Sequence, residues 1–141
     1  MTREKFKLIH SELIMQVQCI ENDLKLIYAG MHTGDFEENL DMLERANLGT
    51  VIKKLKDLDY SDGHPDLSKQ DYTLLEQIRE IRNYWCHQCF LDYTYIQDDY
   101  QRERKFQQVA QRLSEDENRT WDLHKHLEQL RLKMLRRYDR I

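Results

Sequence analysis

SKQDYTLLEQIREIRNYWCH, residues 68–87, is the stretch whose reading decides the fold. Ser68 followed by Asp71 is an N-terminal capping pattern, in which each side chain takes up a backbone N–H that the first helical turn leaves unpaired. At ~100° per residue, Leu75, Ile78, Arg82, Trp85 and Cys89 fall on one face of the helix that follows. Leu74 and Ile81 flank that face on one side and Cys86 on the other. The periodicity predicts an amphipathic helix, and it sets Arg82 in the middle of the apolar stripe. An unpaired guanidinium is costly there, so Arg82 requires a carboxylate, carbonyl oxygens, a wet interface or an anionic ligand.

The same period runs outward in both directions. Phe6, Ile9, Leu13, Ile20, Leu24 and Ile27, with Val17 beside them, predict a first helix over about 3–29. Gly30 and Gly34 bracket a turn. Asp35 with Glu38 opens a second helix, carried by Leu40, Leu43, Val51, Ile52, Leu55 and Leu58, with a break near Asn47-Leu48-Gly49. Residues 59–67, containing Ser61-Asp62-Gly63-His64-Pro65, form the clearest loop. Apolar and aromatic residues extend the motif-bearing helix, or restart it, to about 112. Ser114 with Glu117 is a capping box for a last helix whose seam is Leu123, Leu127, Leu130, Met134, Tyr138 and Ile141. No stretch alternates as a β-strand does, and no repeat or low-complexity tract is present. The expected fold is all-α: one domain over 1–141, an antiparallel bundle of four to five helices. The first and last helices are long enough to spare apolar surface for a homodimer.

Composition agrees with helix: the chain has four Gly and one Pro, with 40% hydrophobic and 34% charged residues. No apolar run approaches the ~20 residues needed to span a bilayer, so no membrane role is expected. Met1-Thr2-Arg3-Glu4-Lys5 leads into mixed sequence without a secretory pattern. Three cysteines do not make a disulfide framework, and the expected setting is cytoplasmic. A formal net charge of −4 argues against a generic DNA-coating protein. Charge is uneven, with an acidic run at Asp35, Glu37, Glu38, Asp41 and Glu44. Arg131, Lys133, Arg136, Arg137 and Arg140 make the end of the chain basic, which also complements a helix C-terminus.

Within the decisive stretch, Arg82-Asn83-Tyr84-Trp85-Cys86-His87 resembles the R-x4–6-H signature of HEPN domains, in which Asn, Asp or His typically follows the Arg. Asn83 meets that preference, and Glu80-Ile81-Arg82-Asn83 is similar to the usual helical context. The specific match covers these six positions. The resemblance implies a small all-α domain, dimeric, with two copies of the motif facing each other. It further implies a metal-independent endoribonuclease of a toxin–antitoxin or antiviral system, needing no cofactor, with RNA as substrate and a cognate antitoxin as a further partner. Other members of the family are inactive binding modules.

The side chains suit that chemistry. Attack of a ribose 2′-OH on the adjacent phosphodiester needs proton transfer and stabilisation of added negative charge. Histidine, with an ordinary pKa of about 6.5, serves as acid or base near neutrality, which makes His87 the expected acid/base. Arg82 is the expected phosphate clamp, through its planar fork of donors. Asn83 would orient His87 or hold RNA. Arg79 and Tyr84 are the expected substrate contacts, Tyr84 by stacking on a base. Arg82 and His87, however, lie roughly 140° apart on an unbroken helix. Either the helix ends or kinks near 85–89, or a partner subunit completes the site. Convergence of the two side chains on an open cleft favours an enzyme. Arg82 sealed against a carboxylate, with His87 in open water, favours a non-catalytic interaction module in which Arg82 is structural.

The spacing alone is weak, since it recurs at Arg119 and His124, where Thr120 follows the Arg. In HEPN toxins neutralised by a nucleotidyltransferase-type antitoxin, a modified Tyr often stands two residues after the His. Cys89 occupies that position, which argues against this route. Cys86-His87-Gln88-Cys89 holds zinc-type donors, but consecutive helical positions point apart and only Cys19 remains to help. Small core thiols are the better reading, and no metal is expected. Glu76 and Glu80 share the side of Asn83 and His87, to orient the imidazole or to pair with Arg79. His10, His32 and His64 have no evident partners.

Overall fold

The computed structural model describes residues 1–137, and all of its secondary structure is helical. Six helices follow one another: α1 (Arg3–Met31), α2 (Phe36–Asp41), α3 (Leu48–Tyr60), α4 (Lys69–His87), α5 (Leu91–Thr94) and α6 (Asp99–Arg137). The expected seam residues Tyr138 and Ile141, and Arg140, lie outside the described residues.

Polar caps start most of these helices. Thr2 accepts the Lys5 N–H, Asp35 the Glu38 N–H, Asn47 the Thr50 N–H and Asp98 the Gln101 N–H. Ser68 and Asp71 form the reciprocal capping box read from sequence. Each such cap is worth about 1 kcal/mol. Between α2 and α3 the helix is interrupted from Met42 to Asn47, earlier than the break expected near Asn47-Leu48-Gly49, and Leu48 and Gly49 already belong to α3. Gly34, at φ 97°, makes the turn that leads into α2, a backbone conformation that side chains with a Cβ disfavour. The loop begins slightly later than expected, because Asp59 and Tyr60 still belong to α3. There Asp59 is buried and organises the α3–α4 connection. Its carboxylate accepts the N–H groups of Asp66 (2.8 Å) and Leu67 (3.1 Å) and the Tyr72 hydroxyl (2.7 Å).

The largest correction concerns Ser114. It caps nothing, because α6 runs unbroken for 39 residues and carries Ser114 in its interior. Phe106, Val109, Leu113, Asp116, Thr120, Leu123, Leu127, Leu130 and Met134 are all buried and alternate by three and four. That heptad repeat overrides the local capping signature, since a break would strip the seam from its partner. The partner is α1, whose Phe6, Leu13, Gln16, Ile20, Asp23 and Ile27 keep the same phase.

Three cross-links set the direction of this pairing: Arg3 to Glu103 (2.9 Å), Gln16 to Glu117 (3.0 Å) and Asp23 to Arg131 (3.0 Å). Residue numbers rise together along both helices, so α1 and α6 are parallel. The antiparallel contacts belong to α4, which lies against α6 through Trp85–Asp116 and Asp71–His126. It pairs in the same sense with α3 through Tyr72–Asp59 and Lys56–Glu76. Trp85, Tyr72, Phe6 and Phe106 are the bulkiest side chains of the single core between these four helices.

The two serines separate local signature from actual cap. Ser68→Ala should cost about 1 kcal/mol in urea unfolding, whereas Ser114→Ala should leave stability unchanged or slightly higher. A loss of similar size at Ser114 would show that α6 starts there after all.

Candidate functional site

The motif occupies the last two turns of α4. α3 has 13 residues and begins at Leu48. A Cβ built on Gly49 would stand 3.1 Å from Arg79 Nη1, so the tip of the Arg79 side chain packs against the start of α3. Toward the end of α4, Asn83, Cys86 and His87 are exposed.

Arg82 differs from the core residue that the helical stripe implies. Its side chain keeps 30% of its exposure, although Ile78 and Trp85 on the same face are buried. The counter-charge it requires is Glu21 of α1: Arg82 Nη1 donates to Glu21 Oε1 at 2.9 Å, and Glu21 is 29% exposed. Arg82 Nη2 donates to Asn83 Oδ1 at 3.2 Å. Asn83 thus steadies the guanidinium rather than His87. The carboxylate that the rival reading calls for is present, but it does not seal Arg82.

His87 is the last residue of α4 and is exposed, without a hydrogen-bond or ion-pair partner among the described residues. The helix ends after it: Gln88 and Cys89 both donate their N–H to the Tyr84 carbonyl, at 2.9 and 3.0 Å. Termination at this point comes too late to swing His87 onto the Arg82 side.

Tyr84 is held on both its ring and its hydroxyl. The hydroxyl donates to Asp92 at 2.6 Å, and the Arg112 guanidinium lies 3.6 Å from the ring centre. One ring face is thereby occupied already. Burial first, and the Asp92 carboxylate second, push the Tyr84 phenol well above its ordinary range. Hydrogen bonds from Tyr84 and Gln88 hold the Asp92 carboxyl below its own.

Trp85 is the anchor beneath the motif. Its indole N–H donates to the buried Asp116 at 2.8 Å, and Arg119 and Arg112 offset the charge of Asp116. Its carbonyl accepts from His10 Nε2 at 2.7 Å and from the Cys89 thiol at 3.4 Å. His10, which lacked a visible partner in the sequence, thus caps the end of α4 and packs against Phe6, Phe90 and Trp85.

Arg79 lies on the other flank, in an open cleft of about 710 Å³ between α3 and α4 that Lys53, Lys56, Asp57, Glu76, Glu80 and Asn83 also line. Its cations and carboxylates balance. Glu76 reaches Lys56 at 3.9 Å, and neither Glu76 nor Glu80 bonds to His87. The second R-x4-H spacing is taken up otherwise: Arg119 is paired with Asp116, and His124 packs on Trp121. Among the described residues no three His, Cys, Asp or Glu side chains converge as metal ligands would, and no helix is long and apolar enough to cross a membrane.

No protein family, no curated protein and no solved structure matches the chain.

Tyr84→Phe tests the lock on α5. Without the phenol, Asp92 should titrate closer to ordinary aspartate in a carboxyl NMR titration. A carboxyl held low contributes stability above its unfolded pKa, near ~3.9, and loses it as the pH falls through the folded value. The variant should lose that part of the acid dependence. An unchanged Asp92 titration would show that Tyr84 does not set it.

Proposed function

We propose that the protein is a metal-independent endoribonuclease of HEPN type, a toxin or antiviral defence effector that cleaves RNA by 2′-OH attack. The observation that carries this reading is the half-open Arg82, steadied by Glu21 and Asn83 on the helix that ends in an exposed His87. Nη1 and Nη2 each give one hydrogen bond to these neighbours, and the guanidinium keeps further N–H groups for a phosphoryl oxygen. Glu21 holds the side chain extended before RNA arrives, so little conformational entropy is lost on binding.

In the reaction, His87 takes the proton of the 2′-OH, or returns one to the departing 5′-oxygen. Arg82 stabilises the charge that builds on the phosphoryl oxygens. Because α4 stays helical through His87, one chain leaves the two groups on different sides. A homodimer that sets Arg82 of one copy near His87 of the other satisfies the geometry, and it supplies a second imidazole as the complementary acid. Arg79 and the cleft beside it would receive the flanking RNA. The chain works in the cytoplasm, restrained by an antitoxin that does not depend on a tyrosine two residues after His87.

The Glu21–Arg82 ion pair favours a second reading, a non-catalytic HEPN-like interaction module. Linking α1 to α4 is by itself a structural use for Arg82.

RNA cleavage in EDTA separates the two. Wild-type protein should cut RNA, and Arg82→Ala and His87→Ala should each be slower by about 10²-fold or more, with folding checked by circular dichroism. Cleavage that survives both substitutions, or that needs a divalent metal, overturns the enzyme reading. A folded wild type that cuts no RNA supports the module.

A further inference from the structure

The end of α4 carries two thiols in unlike settings. Cys86 is exposed, and Cys89, three residues on, is 1% exposed. Side chains three apart on a helix have Cβ atoms about 5–6 Å apart. A disulfide requires about 3.5–4.5 Å. The missing distance is small, and the backbone between them is already leaving the helix. Gln88 has φ −122° and ψ −33°, and the Cys89 N–H reaches back to Tyr84 rather than Trp85. What holds the Cys89 sulfur is its packing in the core and a 3.4 Å bond to the Trp85 carbonyl, an acceptor that His10 also serves.

We propose that Cys86 and Cys89 are a modification site: hydrogen peroxide converts them to a reversible intramolecular disulfide that straps the turn holding His87. The two settings divide the work. Exposed Cys86 meets the oxidant first. Its thiolate sulfur attacks the O–O bond, a sulfenic acid forms, and the leaving hydroxide takes up a proton as water. The Cys89 sulfur then attacks the Cys86 sulfur; the S–O bond breaks, and hydroxide leaves with the Cys89 proton as a second water. Two thiols are oxidised, and one peroxide is reduced to water. Burial pushes the Cys89 thiol up to about 11, so Cys89 is inert toward solvent oxidants. An exogenous thiol reverses the bond by exchange.

The consequence for activity rests on the ribonuclease reading. Pulling Cys89 toward Cys86 takes its thiol off the Trp85 carbonyl and closes a ring around His87 and Gln88. An imidazole displaced by even about 1 Å from its working position loses most of its rate.

The test uses the full chain, treated with hydrogen peroxide at equal thiol concentration. Intact mass should fall by about 2 Da, and alkylatable thiols should drop from three to one, the remaining one being Cys19. Cys86→Ala, a change at an exposed position, should abolish the mass loss, and Cys19→Ser should leave it. A gain of oxygen without the loss, a covalent dimer, or a loss that persists in Cys86→Ala overturns the proposal. Oxidised protein should cleave RNA at least about tenfold more slowly and recover with dithiothreitol, whereas Cys86→Ala should be indifferent to peroxide. Equal cleavage by both forms overturns the strap. The mass loss in a protein that cleaves no RNA in either form overturns the ribonuclease reading alone.

Discussion

Parallel pairing of α1 with α6 is the constraint on which the rest of this structure depends. Both helices carry a sustained heptad seam, and their polar members, Gln16 against Glu117 and Asp23 against Arg131, fix which turn meets which. Burial pushes the Asp23 carboxyl up, against the pull of Arg131. The register is thus held by a group that costs stability to keep charged. Helices α3 and α4 then close the core from one side, and α5 fills the bend between α4 and α6.

The site follows from how α4 is fastened to that pair. Trp85 is bound at two of its polar groups, the indole by Asp116 of α6 and the carbonyl by His10 of α1. The turn that carries Arg82 and His87 is therefore held by both long helices at once. On the same turn Asn83, Cys86 and His87 are exposed. Rigid anchoring below and open access above is what the proposed ribonuclease site would need.

Much of the fold was legible in local chemistry. Ser68 with Asp71 and Asp35 with Glu38 act in the structure as their side chains suggest, because capping is decided within four residues. Ser114 with Glu117 has the same local form and does not cap. A long-range seam outweighs about 1 kcal/mol of capping, and the run from Phe106 to Met134 was the signal that could have shown it. Asp98 with Gln101 was an equally local pattern that went unread. In the site, periodicity found the unusual place of Arg82 and the need for a counter-charge. It could not name Glu21, which lies on another helix, nor the exposure that Arg82 keeps beside a buried Ile78 and Trp85. Asp116 under Trp85 and His10 on its carbonyl are likewise contacts across the bundle, with no trace in spacing.

The α1–α6 pairing also bears on how the chain comes to be folded. Its cross-links join residues 100 to 108 positions apart, unusually distant for an all-helical domain, where neighbours in sequence are normally neighbours in space. On a ribosome adding about 5–20 residues per second, α1 waits several seconds before its matching helix exists. During that interval Phe6, Leu13, Ile20 and Ile27 present an uncovered apolar stripe. The first helix made is the last to find its main partner, and the nascent chain, more than the finished protein, is where aggregation and chaperone capture compete with folding.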